Sequence, residues 1–266
     1  MIGMAALVRL PIRWLAVGSV AMLVLHNLLD GVSGSQLGLG GWWNVLHQPG
    51  VFRLAGRIII VGYPVVPWIS VMALGFCFGR VLLLEPAVRR RFLVRIGTAL
   101  TLGFVLVRAL NRYGDPVAWS VQGSPVYTLL SFLNTSKYPP SLDFLLMTLG
   151  PALLALAWLD RRGLSRANPL CILGRVPLFY FVLHFYAAHL VAALLALLKY
   201  GSPALGFLFH PVPSMGGPRE LFPPGFGYDL WVVYAVCALV VVGIYPACRW
   251  FAKLKERRRD WWLSYL

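Results

Sequence analysis

Apolar runs of close to 20 residues recur along the chain, divided by short clusters of charge, glycine and proline. They cover residues 14–29, 58–78, 92–110, 141–159, 176–198 and 229–247. None alternates apolar with polar positions, as the strands of an outer-membrane barrel do. A helix of roughly 20 apolar residues crosses the hydrocarbon core of a bilayer. The pattern therefore predicts an all-α fold, a polytopic transmembrane helical bundle of about six spans. One transmembrane domain is expected over residues 1–266, closing in a basic, aromatic tail over 248–266 that lies along the headgroups.

Local signals set the boundaries. Pro64 and Pro67 stand three residues apart in the second run and should kink that helix or delay its start, because each removes a backbone donor. Pro139 and Pro140 fix an extended approach to the fourth run, with Ser141 placed as its N-cap and Asp143 in its first turn. Gly150-Pro151 lies inside that run, where neighbouring helices must satisfy the freed carbonyl. At the start, residues 1–8 are too short to span, and Arg9, Pro11 and Arg13 read as a tight turn between two helices. The chain is thus expected to begin partway through a larger membrane domain. Residues 201–227, rich in Gly and Pro, read as a long irregular loop.

Charge changes the picture in one respect. A net charge of +15 would point to nucleic acid in a soluble protein. Here the basic residues cluster in particular loops, as the positive-inside rule requires. No basic stripe with interleaved stacking aromatics stands outside the membrane ends, so no nucleic-acid partner is expected. Alternating six spans puts 17 of the 24 Lys and Arg on one side, which places both termini in the cytoplasm and the chain in a cytoplasmic (inner) membrane, with the lipid bilayer as its first partner. Cys77, Cys171, Cys237 and Cys248 lie in or beside apolar runs without CxxC spacing, and read as small fillers with no disulfide or metal framework. No internal repeat supports an inverted-repeat transporter.

Candidate chemistry concentrates in residues 108–143, which hold Arg108, Asn111, Arg112, Asp115, Asn134, Lys137, Tyr138 and Asp143 between two spans. Only 12% of the chain is charged, and polar groups beside hydrocarbon are expensive. The stretch is either a wet connecting loop or a substrate-facing mouth, and the charge count turns it away from the cytoplasm. His26 and Asp30 sit four apart at the outer end of the first span, an arrangement in which a carboxylate can orient an imidazole as general base. Loop backbone could equally satisfy both. His184 falls near mid-membrane with Tyr180 one turn before it, a pair fit for a proton relay or an interhelical hydrogen bond. His189 projects about 140° away, so the two histidines form no same-face metal pair. Arg175, ahead of the helix-starting Pro177, is placed to meet a phosphate from the cytoplasmic side, although the positive-inside rule alone would also account for it.

The phrases HNLLDG (26–31), YPVVPWISVMALGFCFG (63–79), LNRYGDP (110–116), LSFLNTSKYPPSLDFLLMTLGP (130–151), GRVPLFYFVLHF (174–185) and RRRDWWLSYL (257–266) together resemble the bacterial members of the heparan-α-glucosaminide N-acetyltransferase catalytic-domain family. The resemblance covers nearly the whole chain, and the approach to the fourth span is its most specific part. It implies a polytopic transmembrane acyltransferase with no bound cofactor, using acyl-CoA as co-substrate and an acceptor, often a sugar, on the far side. Such proteins usually open with further spans carrying an Asp-x-x-Arg-Gly-like helix start and a histidine assigned to acyl transfer. No such segment is matched here, so no catalytic histidine is carried over to His26 or His184. The alternative is a non-enzymatic membrane protein, a remnant or a translocation subunit. A homo-oligomer is compatible with either reading.

Overall fold

A computed structural model describes residues 2–204, 206, 222, 225–258 and 260–264, and most of the loop expected over 201–227 lies outside them. The described residues form two compact units, Met1–Gly163 and Leu164–Leu266. The first contains α1 (Ile2–Leu7), α2 (Ile12–Leu25, continued by a 3-10 turn over His26–Leu29), α3 (Trp42–Leu46), β1 (Gly50–Leu54), β2 (Arg57–Val61), α4 (Val65–Phe78), α5 (Pro86–Leu110), α6 (Pro125–Leu133) and α7 (Leu142–Arg162). The second contains α8 (Pro169–Arg175), α9 (Pro177–Tyr200) and α10 (Leu230–Arg257). Six helices are long and apolar enough to cross a membrane: Ile12–Leu29, Val65–Leu83, Pro86–Leu110, Leu142–Arg162, Pro177–Tyr200 and Leu230–Arg257.

Two expectations are corrected. The chain is mostly helical but not all-α, because the second apolar run does not begin its helix at residue 58. Ile58, Ile59 and Ile60 lie in an antiparallel hairpin, with Phe52 facing Ile59 across the ladder. Three β-branched residues favour a strand, Ala55 and Gly56 turn the chain with φ of 49° and 76°, and Pro64 holds the helix back until Val65. The stretch over 108–143 is also not solely loop, since it carries α6. Ser124 caps that helix by accepting from the Tyr127 amide, with Pro125 in its first turn, the arrangement that helix starts favour.

In the first unit α5 and α7 make the most extensive helix pair, and small residues allow it. A Cβ on Gly150 would fall 2.7 Å from the Thr101 amide nitrogen, and one on Gly97 would fall 3.0 Å from the Gly150 carbonyl oxygen. This is the small-residue packing that brings membrane helices into backbone contact. Arg89 closes the far end of the pair with a bidentate contact to Asp160, at 2.6 and 3.2 Å. α2 packs on α4, where Leu15 and Ala73 are buried with Met4 of α1.

The second unit is held by Ile172, Val176, Cys248, Phe251, Ala252 and Leu263, with the Phe179 and Phe251 rings stacked at 4.2 Å. Residues 248–257, assigned by sequence to the interfacial tail, are the last turns of α10. Beyond them, Leu263 is buried in the same core, so this part of the tail makes a protein contact.

Candidate functional site at the polar end of the first unit

Four helix ends meet on one side of the first unit: the C-terminal ends of α2 and α5 and the N-terminal ends of α4 and α7. Three contacts tie them. The Leu142 amide donates to Asn27 Oδ1 at 2.9 Å, Tyr113 Oη donates to the Val24 carbonyl, and Tyr63 Oη lies 3.3 Å from Tyr138 Oη. The opposite end carries Arg9, Arg13, Arg80, Arg89, Arg90, Arg91, Arg95, Arg161 and Arg162, nine cations against the five (Arg53, Arg57, Arg108, Arg112, Lys137) of the polar end.

Arg108, 2% exposed, organises the polar end. Its Nε donates to the Phe132 carbonyl at 2.9 Å and its Nη1 to the Val117 carbonyl at 2.9 Å. Its Nη2 donates to the carbonyls of Ser131 at 3.3 Å and Asn134 at 2.8 Å. One guanidinium thus satisfies the free carbonyls at the C-terminal end of α6, where a cation also meets the negative end of the helix dipole. Asp115 and Asp143 supply the counter-charge, 4.0 and 3.6 Å from Arg108 Nη1.

The two carboxylates differ. Asp115 is fully engaged: Oδ1 accepts from the Val117 amide and Ser136 hydroxyl, and Oδ2 from the Ser136 amide and Ser141 hydroxyl, at 2.6 to 3.0 Å. Asp143, 1% exposed, accepts no hydrogen bond at either oxygen. Its place is set by Ser141, which caps α7 by accepting from the Phe144 amide, and by Gly114. There φ is +96° and a Cβ would stand 2.7 Å from Asp143 Oδ1, so backbone conformation and space both call for glycine.

Beside this network lies a second group. His26 and Asp30 come together as the sequence predicts, but with a third member, His47: their potential ligand atoms all lie within 4.8 Å of one another. His26 and His47 are 1% and 0% exposed, with ring centroids 5.7 Å apart. Asp30 does not orient His26. Its Oδ2 accepts from Asn27 Nδ2 at 2.7 Å, because the chain tightens into a 3-10 turn at His26 and the four-residue spacing no longer sets one α-helical face. Burial pushes the Asp30 carboxyl above the ordinary carboxylate range, Asp115 adds to the rise, and Asn27 and His47 oppose it. His47 had no signal in its spacing. Only the turn-forming Gln48-Pro49-Gly50 after it marked a loop that folds back, and Gln48 Nε2 donates to the carbonyls of Asp30 and Val32 to hold it there.

The other predicted residues divide. Asn111 ends α5 in the left-handed region (φ 52°) and exchanges two hydrogen bonds with the Trp119 backbone, at 2.9 and 3.0 Å. Asn134 enters the network through its carbonyl. Arg112 is exposed. Exposed Lys137 stands 5.2 Å over the Tyr138 ring, and Tyr138 packs edge-on against Tyr63. In the second unit, His184 Nδ1 lies 3.2 Å from the Tyr180 carbonyl and its ring stacks on that of Tyr180, along an apolar cleft of about 460 Å³ between α9 and α10. Arg175 pairs with Glu256 at 2.5 Å and donates to the Ala252 carbonyl. Exposure of 32% and 49% for these two side chains leaves the guanidinium within reach of a competing anion.

No protein-family model, curated protein or solved structure matches the chain. What the fold defines is a class: a mostly helical chain whose six spanning-length apolar helices are compatible with a multi-pass integral membrane protein.

Proposed function

We propose that this chain acts in transmembrane acyl transfer, passing an acyl group from a cytoplasmic acyl-CoA donor to an acceptor, a sugar by the resemblance, on the far side of the membrane. One observation carries the reading. Parts of the resembling stretches 26–31, 63–79, 110–116 and 130–151 are distant in sequence yet meet at one polar helix end, through the Asn27–Leu142 and Tyr63–Tyr138 contacts, opposite an arginine-rich end. The positive-inside rule turns the arginine-rich end to the cytoplasm, which makes the polar end the acceptor-side mouth; alternation of six spans by the same rule gives two cytoplasmic termini. Asp143 and His26 are among the groups in this mouth that are buried with unpartnered polar atoms, and so keep hydrogen-bonding capacity for an acceptor. Arg175 lies on the cytoplasmic side by the same charge rule and offers the donor's phosphates a guanidinium.

The non-enzymatic reading rests on a different observation: Arg108 and Asp115 spend their hydrogen-bonding capacity on the protein's own backbone and hydroxyls, as structural pairs do. Binding of a non-hydrolysable thioether analogue of acetyl-CoA to the purified protein separates the two. The acyl-transfer reading expects saturable binding, weakened about tenfold or more in Arg175→Ala, the scale of one lost charge-assisted hydrogen bond. Equal binding by the variant would remove Arg175 from the donor site, and no binding by the wild type would favour the non-enzymatic reading.

A further inference from the structure

We infer that His26, Asp30 and His47 form a binding site for a single divalent transition-metal ion of the zinc type, with a fourth coordination position open. The donor set is two imidazoles and one carboxylate, which suits zinc or cobalt and, with three protein ligands, leaves one position for water or another ligand. The potential ligand atoms lie within 4.8 Å of one another. Tetrahedral bonds of about 2.0–2.1 Å need roughly 3.4 Å between ligand atoms, so metal binding would draw the three groups together by at most about 1.4 Å.

Three features of the surroundings point to a ligand. First, the His47 tautomer is fixed. Its Nε2 lies 3.0 Å from the His26 carbonyl oxygen, which only accepts, so Nε2 carries the proton and Nδ1 presents its lone pair. An imidazole whose other nitrogen donates to a backbone carbonyl is the usual outer support of a metal-bound histidine. Second, that Nδ1 and both ring nitrogens of His26 are buried without a hydrogen-bond partner, in side chains at least nine-tenths buried. Buried polar groups in this state are uncommon. The Pro140 carbonyl lies against the His26 ring but outside hydrogen-bond geometry. Third, the Asp30 carboxylate accepts from Asn27 at Oδ2 and brings an oxygen within 4.8 Å of the ligand atoms of both histidines. A cation in the cluster would balance that charge.

The frame is built in advance. Gln48 ties its loop to the Asp30 and Val32 carbonyls, Trp43 Nε1 donates to the Val32 carbonyl at 2.9 Å, and the Trp43 ring stacks on His47 at 5.1 Å. The metal would therefore join the end of α2 to the α3 loop. This inference stands apart from the acyl-transfer reading, since its readout is metal binding alone.

The test uses the full chain purified in detergent and washed with chelator, then titrated with Zn²⁺ and Co²⁺. One tight equivalent is expected, with a tetrahedral Co²⁺ spectrum and X-ray absorption that shows two imidazoles and an oxygen ligand. His47→Ala and the near-isosteric Asp30→Asn should each lower Zn²⁺ affinity at least tenfold, while His189→Ala on α9 leaves it unchanged. Should His47→Ala fail to fold, Asp30→Asn and the absorption spectrum of the wild type still decide. No retained metal, sulfur in the first coordination shell, or equal affinity in the wild type and Asp30→Asn would overturn the site.

Discussion

Replacing Arg108 with alanine removes the group on which the polar end depends. The carbonyls of Val117, Phe132 and Asn134 lose their side-chain donor and that of Ser131 keeps only the Asn134 amide, and Asp143 loses its nearest counter-charge, 3.6 Å away. Asp115 keeps its hydroxyl and amide donors, so the loss falls on α6 and on Asp143. Removing one partner of a buried charged pair costs about 3–5 kcal/mol. At about 2–4 °C per kcal/mol for a chain of this size, the unfolding midpoint should fall by roughly 6–20 °C. Arg108→Lys should recover little, because one ammonium cannot reach four carbonyls spread around a planar fork. Asp143→Asn should cost less than Arg108→Ala, since Asp115 still faces the guanidinium at 4.0 Å and the carboxylate accepts no hydrogen bond that the amide would forfeit. The assay is thermal unfolding of detergent-solubilised protein, read by size exclusion at one heating rate. A midpoint for Arg108→Ala within about 2 °C of the wild type, or an Asp143→Asn as damaging as Arg108→Ala, would refute the assignment of Arg108 as organiser.

Asp30 carries a pH prediction. Its carboxyl is held above the unfolded value of 3.8, so its ionisation opposes folding, and stability is lost as pH rises from 3.8 through the raised value. In chelator, thermal midpoints of Asp30→Asn and wild type should coincide below that window and separate above it, with the variant the more stable; parallel curves would contradict this. Gly114→Ala meets both a left-handed φ and a Cβ contact of 2.7 Å with Asp143 Oδ1, and should cost about 1–3 kcal/mol in the same assay. Cysteines replacing Lys137 and Arg258 should label from outside in the first case and only after permeabilisation in the second. Labelling at 258 in intact cells would reverse the topology.

Much of this arrangement is legible in sequence because bilayers impose simple rules. Apolar length located six helices, and charge asymmetry separated the two ends of the first unit. Ser141 as the cap of α7 followed from its place after two prolines and before Asp143. The hairpin over 50–61 was less visible, since isoleucines that form a strand read equally as the start of a span, and the difference lies in Gly56 and Pro64. The cluster around His26 was half visible. Local spacing drew Asp30 to it, although by a helix face that the 3-10 turn abolishes. His47 arrives from 21 residues away on a loop held by Gln48, a tertiary contact that no periodicity records. The roles of Asn27, which joins α2 to α7, and of the Arg108 clamp on α6 are long-range in the same way.

The most direct test of the account is transfer across a sealed membrane. Proteoliposomes with the arginine-rich end outward would receive labelled acetyl-CoA outside and trap an amino-sugar acceptor inside. The account predicts labelled acceptor in the lumen, dependent on the protein and reduced in Arg175→Ala. Label found only on acceptor outside the vesicle, or no transfer above empty vesicles, would contradict it.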